Sequence, residues 1–223
     1  MASLDLKNLD FKNNTPAALM QAARDIIALF ARLIGTGLAI ALIFTSGLWS
    51  SRTMINHGSI ISTDTYGPWR HWRLSGIPDA DPYSRAHLAG SGTIRISADS
   101  AGDFEANTDS LGARLHSSCD YVLEGANMNG MWWSLGVFDS RGDIIANDAN
   151  RYVFTGDTAA LNPDGSFIVT LGRDARPGNW LPTSGAGRLV LVFTVLDPAT
   201  GLSPDARAQR NKLLPIIRRE GCS

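Results

Sequence analysis

A mainly β fold, an antiparallel sandwich of the jelly-roll type preceded by one N-terminal transmembrane helix, is what this 223-residue sequence predicts. Three observations predict it. Between Arg32 and Arg52 the chain has no charged residue, whereas elsewhere Lys and Arg (20) and Asp and Glu (21) recur every few positions. Past that segment, short apolar runs alternate with a period of two, as half-buried strands do. Clusters of Gly, Pro, Asn and Asp separate the runs and mark turns. A hydrophobic content of 44% with only two cysteines describes a folded chain, not a disordered or disulfide-dense one. The net charge of −1 carries no electrostatic footprint for nucleic acid.

The first element is the apolar one. Leu33 to Trp49 reads LIGTGLAIALIFTSGLW, and Ile26 to Ala31 extends it with only Arg32 inside. At 1.5 Å per residue, residues 26–49 span a hydrocarbon core of about 30 Å, with Arg32 reaching back to the headgroups. Thr15-Pro16 reads as a helix N-cap followed by proline at the first helical position, so one helix is predicted from about residue 16 to 48. Lys7, Lys12, Arg24 and Arg32 precede the apolar run and only Arg52 closely follows it. The excess of basic residues puts residues 1–25 in the cytoplasm and the remainder outside, in the periplasm of a bacterial envelope. A cleaved secretory signal is the alternative; it would have a shorter apolar stretch and an Ala-x-Ala site, which this sequence lacks. Gly35, Gly37, Ala39 and Ala41 could let two helices approach, making a homo-oligomer or a membrane-protein partner conceivable beside the bilayer itself.

Residues 50–65 are small and polar and read as a linker, leaving residues 66–223 as the folded periplasmic domain. Within it, Asp81-Pro82 opens a helix that Gly90 can end, and Ser203-Pro204 opens a second that Pro215 stops. Strands are expected at Thr93–Ser97, Cys119–Glu124, Met131–Phe138, Ser166–Leu171 and Arg188–Val195, with a further strand at Ile144-Ile145. Met131, Trp133, Leu135 and Val137 share one face, which reads as core, while Trp132, Ser134, Gly136 and Phe138 share the mixed face. Arg188–Val195 is apolar on both faces and reads as a strand buried between two layers. Asp139–Gly142 reads as a hairpin connection from Met131–Phe138 to Ile144-Ile145, and Asn162–Gly165 as a second turn feeding Ser166–Leu171. Cys119 and Cys222, an even pair in an oxidising compartment, are expected to form a disulfide, two reduced thiols being the alternative.

An ordered series of short motifs adds to this reading. Gly67-Pro68-Trp69, Asp81-Pro82-Tyr83 with Arg85-Ala86, Cys119-Asp120-Tyr121 with Glu124-Gly125, Trp132-Trp133-Ser134 with Phe138-Asp139, Asn150-Arg151, Asp164-Gly165-Ser166 and Arg176 to Pro182 resemble the bacterial domain of unknown function 1214. The resemblance covers about residues 67–196 and is closest to short, membrane-anchored members that carry this domain alone. It implies a jelly-roll-like β fold and no established activity, cofactor or catalytic residue.

Chemistry is sparse. His57, His71, His87 and His116 lie far apart, none at a spacing that puts two ligands on one face, so neither a metal site nor a cofactor is expected. There is no G-x-S-x-G elbow, P-loop or dinucleotide fingerprint. Asp139, Asp143, Asp157, Asp164 and Asp174 fall in turns, where aspartate ordinarily bonds its own backbone. The candidate ligand-binding residues are Arg176, Asn179 and Trp180, in a proline-containing loop after the strand ending at Leu171, together with Arg151 and Trp132. The loop could present an aromatic platform and amide donors to a polar ligand, or Trp180 could plug the end of the sandwich with Arg176 paired to an acid. Arg151 and Asn179 at one end of the sandwich could bind a carboxylate or hydroxyls. The expected function is a membrane-anchored periplasmic binding or interaction module; the alternatives are an envelope glycan or polymer hydrolase using carboxylates in a sandwich-end pocket, and a structural subunit of a membrane complex.

Overall fold

The computed structural model describes residues 16–91, 100–129, 131–196 and 212–222. Contacts divide the chain into two units, Met1–Arg52 and Thr53–Ser223. The expected strand at 93–97 and nearly all of the expected helix after Ser203 lie outside the described residues.

Helix α1 runs from Pro16 to His57 and is the one helix, among the described residues, long and apolar enough to cross a membrane. Its apolar window is wholly exposed. The hydroxyls in that stretch turn inward: Thr36 Oγ1 donates to the Arg32 carbonyl (2.9 Å), Thr45 Oγ1 to Ala41 (2.8 Å) and Ser46 Oγ to Ile43 (3.0 Å). Such bonds satisfy polar groups without water. The helix passes the expected end at residue 48 and takes up half of the segment read as a linker, because nothing in SSRTMINH breaks it. Gly58 ends it, at φ 75°, with its N–H on the Met54 carbonyl (3.0 Å).

The second unit holds two sheets. The first contains β1 (Thr63–Tyr66), β2 (Trp69–Trp72), β3 (Ala101–Ala106), β5 (Trp133–Asp139), β6 (Val153–Thr155) and β9 (Leu189–Leu196), in the order β1-β2-β3-β9-β5-β6, every pair antiparallel. The second contains β4 (Cys119–Gly125), β7 (Phe167–Gly172), β8 (Asn179–Pro182) and β10 (Ile216–Cys222), in the order β10-β4-β7-β8. Here β8 runs parallel to β7, which departs from the all-antiparallel expectation. Helix α2 (Pro82–Ser91) follows β2. It starts where the Asp81 carboxylate accepts the amides of Tyr83 (3.0 Å) and Ser84 (3.1 Å), the cap the sequence predicts.

The core lies between the sheets. Trp69, Phe104, Trp133, Leu135, Leu191 and Phe193 come from the first, Tyr121, Leu123, Phe167, Val169, Leu171 and Ile217 from the second. Trp133 and Phe167 stack across the gap with ring centres 4.0 Å apart. The Phe167 ring fits because Gly125 stands opposite it on β4: a Cβ there would come within 2.0 Å of the ring. Alternate residues of β5 are buried as expected. In β9, by contrast, Leu189, Leu191, Phe193 and Val195 are buried while Val190, Val192, Thr194 and Leu196 are half-buried, so its apolar outer row faces a partly open surface and not a second layer. Ile144-Ile145 forms no strand; Ile144 makes a single bridge to Phe138, and β6 pairs with β5 in its place. Gly142 has the left-handed backbone (φ 85°) that the Asp139–Gly142 turn needs. Cys119 and Cys222 are opposite each other at the ends of β4 and β10 and are joined by a disulfide.

Candidate functional site

Pairing register decides what the outer face of the six-stranded sheet carries. Asp103 and Glu105 are two residues apart on β3, hence on one face, with Thr194 and Val192 opposite them on β9. Across β9, Val192 faces Gly136 and Val190 faces Phe138 on β5; across β5, Gly136 faces Val153 on β6. A cleft of about 460 Å³ opens over this surface. Asp103, Glu105, Val190, Val192 and Phe138 form its floor, His87 of α2 one wall, and the hairpin from Ser140 to Asp143 another. That volume lies within the range of small-molecule sites.

The walls are held by bonds of their own. His87 stacks on Trp72 with ring centres 4.0 Å apart, and its Nδ1 meets the Ile55 carbonyl at 2.9 Å, near the end of α1. A carbonyl only accepts, so Nδ1 carries a proton and donates it to Ile55. Asp103 is fixed twice: Thr194 Oγ1 donates to its carboxylate (2.7 Å), and the buried His71 donates from Nδ1 to its carbonyl (2.9 Å). On the hairpin, Arg141 reaches Asp139 (3.0 Å) and Asp143 (3.4 Å). The Asp143 amide, together with the amide and guanidinium of Arg141, holds the Asp139 carboxyl below the usual range. Among the described residues no three His, Cys, Asp or Glu side chains come together in a way that could hold a metal ion.

The candidates from the sequence are placed elsewhere. Asn179, at the start of β8, is buried: its Oδ1 accepts the Ala160 amide (2.7 Å) and its Nδ2 donates to the carbonyls of Ala160 and Ile168 (both 2.9 Å). Trp180 is buried beside it, with Nε1 donating to the Gly172 carbonyl (3.1 Å). Arg176 pairs with Asp120 of β4 and lies 3.6 Å from Glu220 of β10. Arg151 sits in the connection from β5 to β6, its backbone clasped at both ends by the Asn147 side chain; its guanidinium bonds no described residue. Trp132, 38% exposed, precedes β5. The structure thus brings Asn179, Trp180 and Arg176 onto the four-stranded sheet and leaves Arg151 and Trp132 on the other.

Sequence reasoning missed the cleft residues. In the sequence His87 is one of four scattered histidines, and no strand is predicted at Ala101–Ala106. A signal was present: Asp103-Phe104-Glu105 alternates acid, aromatic, acid, which puts two carboxylates on the face opposite a core ring.

Comparison with known proteins adds a family. Residues 100–200 match the family described as protein of unknown function (DUF1214), the family that the motif series resembles. The crystal structure of the VPA0106 protein from Vibrio parahaemolyticus is similar, with a TM-score of 0.49 at 22% identity over 64% of this chain and 36% of that one. An uncharacterised protein from Burkholderia cenocepacia gives 0.40 at 14% identity, over 60% of this chain and 33% of that one. This chain therefore spans about a third of the length of either relative. No curated protein matches it.

Proposed function

We propose, from the premise that residues 100–200 carry the domain of unknown function 1214, that this chain is a membrane-anchored binding module of the bacterial envelope. Helix α1 is its anchor in the inner membrane; the domain stands on the periplasmic side and takes a small ligand in the cleft on the outer face of the six-stranded sheet. The observation that carries the reading is the cleft itself, whose floor sets two acids beside an apolar stretch of Val190, Val192 and Phe138, a mix of apolar surface and a few polar groups typical of ligand sites. The basic residues before the apolar run and the disulfide between Cys119 and Cys222 support the orientation, since disulfides persist in oxidising compartments.

The same geometry speaks for binding over hydrolysis. Acid–base cleavage of a glycosidic bond needs two carboxyl groups flanking it; Asp103 and Glu105 share one face of one strand, and Asp143 on the hairpin wall lies 3.4 Å from the Arg141 guanidinium, an ion pair and not a proton donor.

The test is capture. The full-length chain in lipid nanodiscs is incubated with an envelope extract and examined by native mass spectrometry, beside variants Val192→Trp and Val190→Trp that fill the cleft. A bound small molecule that disappears in both folded variants is the expected result. No bound species, or one that survives both substitutions, would overturn the reading.

A further inference from the structure

We propose that the Cys119–Cys222 disulfide is a redox-exchange site of the folded protein, opened by a dithiol carrier whose thiolate attacks the sulfur of Cys222. The two cysteines are unequally placed. Cys119, 7% exposed, belongs to the core between the sheets, whereas Cys222 is exposed at the end of β10, an edge strand of the four-stranded sheet. Gly221 beside it leaves the surroundings open: a Cβ there would meet nothing within 4 Å. Exchange depends on access to the sulfur attacked, which favours Cys222 over its buried partner.

The strand that carries Cys222 is held in two parts. Its pairing with β4 shifts register between Arg219 and Gly221, a bulge that interrupts the ladder just before the cysteine. Ile216–Arg219 is fixed without the sulfurs. Ile217 is buried in the core; its amide donates to Ser110 Oγ (2.9 Å) and its carbonyl accepts the Ser110 amide (2.9 Å). Arg218 pairs with Glu124 of β4 (2.6 Å), and Arg219 with the buried Asp109 (2.9 Å). Past the bulge, Gly221 and Cys222 face Asp120 and Cys119, and Glu220 lies 3.6 Å from Arg176. The disulfide is thus the clamp on residues 220–222, and opening it leaves the first part of β10 docked.

The chemistry is thiol–disulfide exchange. A carrier thiolate bonds to Cys222 Sγ as the bond between the two cysteine sulfurs breaks; the electron pair leaves on Cys119, which takes up a proton. Ser118 Oγ, 3.7 Å from Cys119 Sγ, is a polar neighbour for the departing sulfur. The second carrier thiolate then attacks the carrier's own sulfur in the mixed disulfide, and Cys222 departs and is protonated. Two electrons and two protons pass to the protein, and the carrier is oxidised from dithiol to disulfide. In the protein the change is local: residues 220–222 lose their tether, and the edge of β4 at Cys119 and Asp120 is uncovered.

The experiment uses the full-length chain in nanodiscs at urea concentrations below its unfolding transition. Glutathione serves as the attacking thiol, N-ethylmaleimide traps the freed cysteine, and peptide mapping by mass spectrometry locates the adduct. We expect glutathione on Cys222 at least tenfold more often than on Cys119. Reduction by dithiothreitol should change in rate by less than twofold across the urea series, because the native state itself reacts. After reduction, hydrogen exchange should quicken over residues 220–222 while the amides of Ile217 and Leu123 keep their protection. A reduction rate that rises with urea in step with the unfolded population, adducts shared equally or favouring Cys119, or protection lost along the whole of β10 would overturn the proposal and leave the bond a brace that opens only on unfolding.

Discussion

A single carboxylate, Asp81, both starts α2 and reports on acid. Burial pushes its pKa up, but hydrogen bonds from the Ser84 hydroxyl and from the Ser84 and Tyr83 amides outweigh that and bring it below the usual carboxylate value. A depressed folded pKa stabilises the domain above the unfolded value, about 3.9, and that contribution is lost as pH falls through the folded pKa. Asp81→Ala should therefore cost about 1 kcal/mol at neutral pH, measured by urea denaturation. Asp81→Asn, which still caps, should stay near the parent at pH 7 and fall less steeply in stability below pH 4 or so. Gly125 is the second telling residue. Its missing Cβ is the space occupied by the Phe167 ring, which is fully buried against Trp133 and has nowhere to go. Gly125→Ala should destabilise by about 3 kcal/mol, at the upper end of ordinary overpacking. At this scale the caps and turns were legible because they are local: Asp81 bonds amides two and three residues on. The cleft residues were not, because Asp103 and Glu105 meet His87 only after strand pairing and the docking of α2.

Elements were legible where their signal was long and periodic. β5 and β7 are close to where alternation puts them, and α1 begins at the expected proline. The strands that escaped are short or depend on partners: β6 has three residues, and β8 lies in a segment rich in proline and glycine that pairs only because β7 is beside it. β9 is legible as a strand but not in its burial, since one apolar row packs on the core while Val190 and Val192 of the other line the cleft. The parallel pairing of β8 makes a prediction about Asn179. Its amide ties β8 to the Ala160 backbone and to the Ile168 carbonyl, so Asn179→Ala removes three hydrogen bonds made by a buried side chain. The expected loss is about 3 kcal/mol, with faster hydrogen exchange at the amides of β8. A ligand-contacting asparagine with no structural duty would leave both unchanged.

For the molecule as a whole, the architecture of an apolar helix followed by a two-sheet domain follows from composition and periodicity. The order of strands within the sheets does not, because pairing partners such as β3 and β9 are far apart in sequence. The disulfide is the one long-range contact that could be argued in advance, from cysteine count and compartment. It closes a loop of 103 residues, so replacing Cys119 and Cys222 with alanine should lower stability by about 4–5 kcal/mol in the chain-entropy account. Chemical denaturation of the parent, with and without reductant, should reproduce that difference without mutation.

The same bond sets how the domain answers a mechanical load. A force applied between the end of α1 and the chain terminus can peel apart the strands before Cys119, but the ring between the two cysteines passes the load through covalent bonds and cannot lengthen. About 35 nm of contour length, 103 residues at roughly 3.4 Å each, is thereby withheld until the sulfurs part. Most of the core strands, β4 to β9, lie inside that ring, whereas β1 to β3, with the two cleft carboxylates, lie outside it. Tension between α1 and Cys222 would dismantle β1 to β3, and with them one side of the cleft, while the rest of the sandwich stayed locked, making the proposed ligand's grip the force-sensitive part of the molecule.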